Sequence, residues 1–95
     1  MGDEDLEREI LLLFAEQLRT QIARLHGPID SVEQAIALHT LKGAAFGVGA
    51  NRIGEIARHG EEQIRQRGEV APRLVDELGQ AARETIQFIE EITRT

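Results

Sequence analysis

The sequence predicts an all-α fold, an antiparallel four-helix bundle with up-down-up-down topology. Two observations indicate this. Apolar residues recur every three or four positions along most of the chain, as they do on one face of a helix. Glycine or proline interrupts this pattern at three places, and the intervening connections are short. Short connections place consecutive helices side by side and antiparallel, which favours a bundle.

The length and composition indicate one small domain. A chain of 95 residues can bury one modest core, so we expect a single domain over residues 1–95 and a monomer. Cysteine is absent, which excludes disulfides and fits a reducing compartment, so we expect a cytoplasmic protein. The net charge of −6 disfavours nucleic acid and anionic membranes as partners. The sequence also contains no apolar run long enough to cross a bilayer.

The first predicted helix begins at the acidic residues 3–5, where negative charge suits a helix N-terminus. It ends at His26-Gly27-Pro28. Its apolar stripe consists of Leu6, Ile10, Phe14, Leu18, Ile22 and Leu25.

The second predicted helix follows at once. Asp30 or Ser31 can cap its N-terminus, with Glu33 or Gln34 as the partner in a capping box. The glycines of residues 47–49 end it. This helix contains the segment HTLKG, which carries the chemistry of the chain.

The third and fourth predicted helices have equally clear limits. Asn51 is a suitable cap for the third helix, Gly68 suits its C-terminal end, and Pro72 suits the first turn of the fourth. The third stripe consists of Ile53, Ile56, Ala57, Gly60 and Ile64, and the fourth of Leu74, Val75, Leu78, Ala82, Ile86, Ile89 and Ile92.

A helical wheel at about 100° per residue divides the second helix into two faces. The core face consists of Ala37, Leu38, Leu41, Ala44, Ala45 and Val48. His39 lies on the opposite side, in what we call the outward strip, together with Val32, Ala35, Ile36, Lys42, Gly43 and Phe46. This strip is unusually apolar for a solvent face, which is typical of a partner surface. Leu12 of the first helix also lies off its stripe and is expected to extend this surface.

His39, Lys42 and Gly43 are neighbours on one strip of a helix, since they are spaced three and four residues apart. A neutral imidazole is a nucleophile near neutral pH, and an ammonium group can neutralise a phosphate. Glycine inside a helix costs about 0.5–1 kcal/mol relative to alanine, so we expect Gly43 to give access to the imidazole. The alternative is that Gly43 allows close helix packing.

The segment from His39 to Gly43, with Gly49 beyond it, resembles the signature of histidine-containing phosphotransfer (HPt) domains of two-component phosphorelays. The resemblance implies that His39 is the phospho-acceptor on the second helix of the bundle, that Lys42 stabilises the phosphate and that Gly43 gives access. Ala44 replaces a frequent serine, and Phe46 replaces a smaller residue. Sensor kinases, by contrast, usually have an acidic residue where this chain has Thr40.

The implied partners are receiver domains of response regulators or hybrid histidine kinases. The chain has no glycine-rich nucleotide loop and no carboxylate cage, so we expect no cofactor of its own, with magnesium supplied by the receiver. We also expect no autonomous kinase or phosphatase activity. Two alternatives remain: a helical adaptor that binds without phosphotransfer, and a degenerate HPt domain in which Phe46 blocks docking.

Several other residues are expected to be structural. His26 is expected in a loop or at the C-terminal end of the first helix, and His59 is expected to face solvent. A metal site formed by His39 and His59 is disfavoured by their spacing. Phe14 and Phe88 are expected in the core. The carboxylate pairs Glu61-Glu62 and Glu90-Glu91 are expected to face solvent or to form ion pairs.

Overall fold

Four helices in an antiparallel bundle make up the fold in the computed structural model, which describes residues 2–94. They are α1 (Gly2–His26), α2 (Ser31–Val48), α3 (Asn51–Arg67) and α4 (Pro72–Thr93). Each helix packs against the next, and α4 closes the bundle against α1. The molecule is elongated, measuring 48 × 19 × 18 Å. The predicted fold class is confirmed.

Most predicted helix ends are confirmed. Asp30 caps α2, because its carboxylate accepts a hydrogen bond from the backbone N–H of Glu33 at 2.9 Å. Gly49 and Gly68 end α2 and α3 with φ angles of 82° and 83°, a left-handed conformation that only glycine adopts without strain. Pro72 lies in the first turn of α4.

The predicted cap of α3 is wrong by one residue. Ala50 holds the cap position, no side chain caps the helix, and Asn51 is already its first residue. The cause is the short connection between α2 and α3. The N–H of Ala50 donates to the carbonyl of Ala45 at 2.8 Å, and the carbonyl of Ala50 accepts from the N–H of Gly54 at 3.1 Å. One residue therefore ends α2 and occupies the cap position of α3, which places Asn51 inside the helix.

The bundle core consists of residues from all four predicted stripes. The largest fully buried side chains are Leu18, Leu38, Leu41, Ile53, Leu78 and Ile89. The predicted core face of α2 is confirmed: Ala37, Leu38, Leu41 and Ala45 are buried, and Ala44 and Val48 pack against them partly buried. Phe14 is buried, as expected.

Four apolar residues expected in or beside the core are exposed instead, namely Leu6, Ile10, Phe88 and Ile92. The reason is helix length. At about 1.5 Å per residue, α1 and α4 extend about 37 and 33 Å, whereas α2 and α3 extend only about 27 and 25 Å. The free ends of α1 and α4 therefore have no helix opposite them. Among the described residues, no helix has the length and apolar character needed to cross a membrane.

Candidate functional site

His39 lies near the middle of α2 and points away from the core. Its sequence neighbours Leu38 and Leu41 are fully buried, while 71% of the His39 side chain is exposed. The helical period of α2 produces this difference, because residues on opposite sides of one helix meet the core and the solvent respectively. The orientation predicted from the helical wheel therefore agrees with the structure.

A carboxylate from α3 contacts both polar side chains of the outward strip. Oε2 of Glu61 lies 3.1 Å from Nδ1 of His39, and Oε1 of Glu61 lies 2.8 Å from Nζ of Lys42. Only 16% of the Glu61 side chain is exposed. Oε1 is buried and has no well-aligned hydrogen bond. Its contact with Lys42 is therefore an ion pair between two opposite charges at short distance.

Glu61 reaches this position because α2 and α3 pack closely. A Cβ atom at residue 60 would lie 2.9 Å from Cδ1 of Leu38, so the missing side chain of Gly60 lets the two helices approach. His39 and Glu61 lie eleven residues before and after Ala50 in the sequence. In an antiparallel pair joined by a tight turn, such residues lie at the same level. This symmetry was the signal in the sequence that could have identified the partners of Glu61, for which the sequence predicted only a solvated position or an unspecified ion pair.

The contact with Glu61 selects the tautomer of the neutral His39 ring, that is, which of its two nitrogens carries the hydrogen. An ionised carboxylate can only accept hydrogen bonds, so a hydrogen bond between Oε2 and Nδ1 requires the hydrogen to be on Nδ1. In the neutral ring Nε2 then carries the lone pair. Burial raises the pKa of Glu61, but the contacts with Lys42 and His39 outweigh this effect, so that the pKa lies below its ordinary value. The lowered pKa favours the ionised form of Glu61.

The space beside His39 is open at Gly43. A Cβ atom placed on Gly43 would have nothing within 4 Å outside its own helix. Close packing against a neighbouring helix therefore does not explain this glycine. Gly43 lies one turn after His39 along α2, so no side chain from that position covers this side of the imidazole.

The apolar part of the outward strip is exposed as predicted. Val32, Ile36 and Phe46 are exposed, and Ala35 is half-buried. A shallow groove of about 450 Å³ lies beside His39, with Val32, Ala35, Ile36 and Glu61 among its lining residues. The groove is mostly apolar and has the histidine and the carboxylate at its edge, an arrangement typical of partner surfaces.

The expected role of Leu12 does not fit the structure. Leu12 is exposed, but it lies two turns before Arg19, whose guanidinium pairs with Glu90 of α4 at 2.8 Å. Leu12 is therefore on the α4 side of α1, away from the α2–α3 groove. Leu13 is exposed too, and it lies three turns before Arg24, which pairs with Glu33 of α2. Leu13 is thus the leucine on the α2 side of α1.

The other two histidines lie elsewhere. His59 is exposed on α3, and His26 ends α1 with Nδ1 3.0 Å from the carbonyl of Ile22. Within residues 2–94, no group of three or more acidic, histidine or cysteine side chains is arranged to hold a metal ion. Glu62, the neighbour of Glu61, forms an ion pair with Arg58 at 3.5 Å.

Fold and site together define a class of protein, a four-helix bundle that presents one exposed histidine from its second helix beside an ammonium group and an open glycine. The family model named Hpt domain matches residues 9–93. The chain therefore belongs to the Hpt domain family, the histidine phosphotransfer family of phosphorelays. Neither the curated proteins nor the solved structures compared with the chain give a significant match.

Proposed function

We propose that this chain is a phosphorelay intermediate in the cytoplasm. Nε2 of His39 accepts a phosphoryl group from the aspartyl-phosphate of one receiver domain and passes it to the aspartate of another. The observation that supports this most directly is an exposed imidazole whose Nδ1 is held by Glu61. A ring held in this way directs Nε2 toward solvent, where a partner can reach it.

The transfer step balances without a further reactant. The lone pair of Nε2 attacks phosphorus, the bond between phosphorus and the aspartate oxygen breaks, and the aspartate leaves as a carboxylate. The hydrogen on Nδ1 stays in place, and Glu61 stabilises the positive charge that develops on the ring. Return of the phosphoryl group to another aspartate is the same step in reverse.

Lys42 and Gly43 assist in different ways. The Lys42 ammonium lies on the same strip as His39 and is held by Glu61 at 2.8 Å, so a positive charge is already near the incoming phosphate. Phosphoryl transfer depends mostly on positioning and charge neutralisation. The open space at Gly43 lets the phosphoryl group and the loops of the receiver approach the ring.

The partner completes the site. Val32, Ala35, Ile36 and Phe46 form the apolar docking surface for the receiver, and Leu13 extends it on α1 in place of Leu12. Magnesium and the remaining catalytic groups come from the receiver, and the chain itself is a carrier without kinase or phosphatase activity of its own. The surface around His39 supports this division of roles between carrier and receiver, because it offers docking area and a nucleophile in one place.

The experiment that tests the proposal compares two histidines. The protein is mixed with a receiver carrying radiolabelled aspartyl-phosphate and with magnesium, and the label is tested for lability in acid and stability in alkali. We expect label on the wild type and on His59→Gln, which changes an exposed histidine of α3, and none on His39→Gln. Label that persists on His39→Gln would exclude His39 as the acceptor.

The exposed apolar strip also favours a second candidate, an adaptor that binds receivers without chemistry. The same experiment distinguishes the two when receiver binding is measured alongside. Binding without label, for every receiver tested, would support the adaptor. If the folded wild-type protein neither binds any receiver nor takes up label, the proposed docking surface would be contradicted.

A further inference from the structure

The end of the bundle formed by the N-terminus of α1 and the C-terminus of α4 has an apolar surface that the phosphotransfer site does not use. We call it the terminal shelf and define it as Leu6 and Ile10 of α1 with Phe88 and Ile92 of α4. These side chains are between 43% and 61% exposed. Large apolar residues grouped in this way on a small domain are typical of a binding surface.

The shelf lies just beyond the ends of α2 and α3. Leu6 is five turns before Arg24, which pairs with Glu33 of α2, so Leu6 lies on the α2 side of α1. Phe88 follows Glu84 by one turn, and Glu84 pairs with Arg52 of α3. The shelf therefore continues the surfaces that α2 and α3 cover elsewhere, at a level where those two helices have ended.

A groove adjoins the shelf at Ile92. It has a volume of about 420 Å³ and lies between the N-terminal turns of α1 and the last turn of α4. Its lining combines the apolar residues Leu11 and Ile92 with three carboxylates, those of Glu4, Asp5 and Glu7, and one cation, Arg8. Carboxylates therefore outnumber cations beside the shelf.

The charge around the shelf identifies the kind of occupant. Residues 2–10 and 88–94 contain seven carboxylates and two arginines, so these two segments hold five of the six net negative charges of the chain. Nucleic acid and anionic lipid would be repelled. A second copy of this chain would bring an equally acidic surface, so charge opposes a symmetric dimer here.

Helix stability does not explain all of these charges. The acidic residues in the first turn of α1 suit the positive end of the helix dipole. Glu90 and Glu91, however, lie near the C-terminus of α4, where negative charge is unfavourable, and the last turn of α4 has no basic residue. Arg19 pairs with Glu90 and so accounts for one of these two carboxylates. Glu91 is the carboxylate that a cationic ligand would explain better than the helix itself does.

We infer that the terminal shelf docks a cationic amphipathic helix of a partner protein. Its apolar side covers Leu6, Ile10, Phe88 and Ile92, and its lysines and arginines face the surrounding carboxylates. Such a helix continues the helical packing that α2 and α3 leave incomplete at this end. The surface differs from the one around His39, so a partner bound here leaves the imidazole accessible to a receiver.

The test uses three synthetic peptides of the same length. The first has leucine on one helical face and lysine and arginine on the others, the second replaces the basic residues with glutamate, and the third scrambles the first. Binding is measured by fluorescence anisotropy, and the contact surface is mapped by NMR shift perturbation. We expect the first peptide alone to bind, to shift residues of the shelf, and to lose affinity as ionic strength rises.

Two matched variants of α1 locate the contact. Leu6→Ser is expected to weaken binding about tenfold, whereas Leu12→Ser, the same change on the α4 side of the same helix, is expected to leave it unchanged. Equal binding of the basic and acidic peptides, or equal effects of the two variants, would overturn the inference. So would a dimer in sedimentation that Leu6→Ser dissociates, because a second copy would then occupy the shelf. Labelling of His39 in Leu6→Ser tests phosphotransfer separately.

Discussion

The ring of Phe46 occupies the space that a side chain at residue 54 would need. A Cβ atom on Gly54 would lie 2.7 Å from Cε1 and Cζ of Phe46, closer than real carbon atoms approach. Because Gly54 of α3 has no side chain, the aromatic ring of Phe46 of α2 can pack directly against it. Phe46 remains 41% exposed, so one part of the ring packs on the bundle while another is available to a partner.

This relationship predicts a non-additive pair of substitutions. Gly54→Ala raises helix propensity by about 0.5–1 kcal/mol, but in the wild type it also displaces the ring of Phe46. We therefore expect it to increase the free energy of unfolding only when Phe46 is already alanine. Urea unfolding of the two single variants and the double variant measures the coupling. The same effect of Gly54→Ala in the wild type and in Phe46→Ala would show that the ring of Phe46 does not pack against residue 54.

The lowered pKa of Glu61 predicts a stability difference that depends on pH. A carboxylate whose pKa is lower in the folded state stabilises the protein above its unfolded pKa, and this contribution is lost as the pH falls through the folded pKa. Glu61→Gln should therefore reduce the free energy of unfolding by about 1 kcal/mol at neutral pH and have little effect in strong acid. Urea unfolding across this range measures the difference.

A neighbouring carboxylate provides the control for this measurement. Glu62→Gln changes a side chain that pairs with Arg58 instead, so we expect a smaller change in stability with pH. Should Glu61→Gln and Glu62→Gln show the same pH profile, the contacts of Glu61 with His39 and Lys42 would not be stabilising. Phosphotransfer rates of both variants show whether Glu61 also positions the ring.

Lys42→Ala is predicted to impair the site while the bundle stays folded. The substitution leaves the buried Oε1 of Glu61 without the ammonium that lies 2.8 Å away, so we expect a loss of about 1 kcal/mol in stability. It also removes the positive charge beside the proposed phosphohistidine, which should transfer more slowly or hydrolyse sooner. Lys42→Arg keeps the charge and should retain most of the stability and most of the phosphotransfer rate. Unchanged transfer and hydrolysis in Lys42→Ala would contradict a role on the phosphate.

Gly43→Leu is predicted to separate stability from docking. Nothing lies within 4 Å of a Cβ atom at this position, so the fold tolerates the side chain, and helix propensity rises by about 0.5–1 kcal/mol. We expect unchanged or higher thermal stability together with loss of receiver binding, with Gly43→Ala intermediate in binding. Calorimetry and a titration with a receiver measure the two quantities. Normal receiver binding by Gly43→Leu would refute the access argument.

Much of the helical framework could be predicted from local patterns. The cap at Asp30, the glycines that end α2 and α3 and the proline in the first turn of α4 act through the backbone of their own segment. The prediction for Asn51 failed for the opposite reason, since the tight α2–α3 turn places Ala50 at the cap position. Local signals therefore predicted these helix ends correctly except at the α2–α3 turn, where the short connection set the boundary.

The sequence by itself determined which face of α2 meets the core and that His39 and Gly43 lie on the other, because helical periodicity is a property of one segment. Only the tertiary structure decided that Glu61 contacts His39 and Lys42, that Phe46 rests on Gly54, and that the terminal shelf is exposed. The physical reason is that periodicity gives direction around a helix axis, whereas contact and burial depend on how closely neighbouring helices approach and where they end.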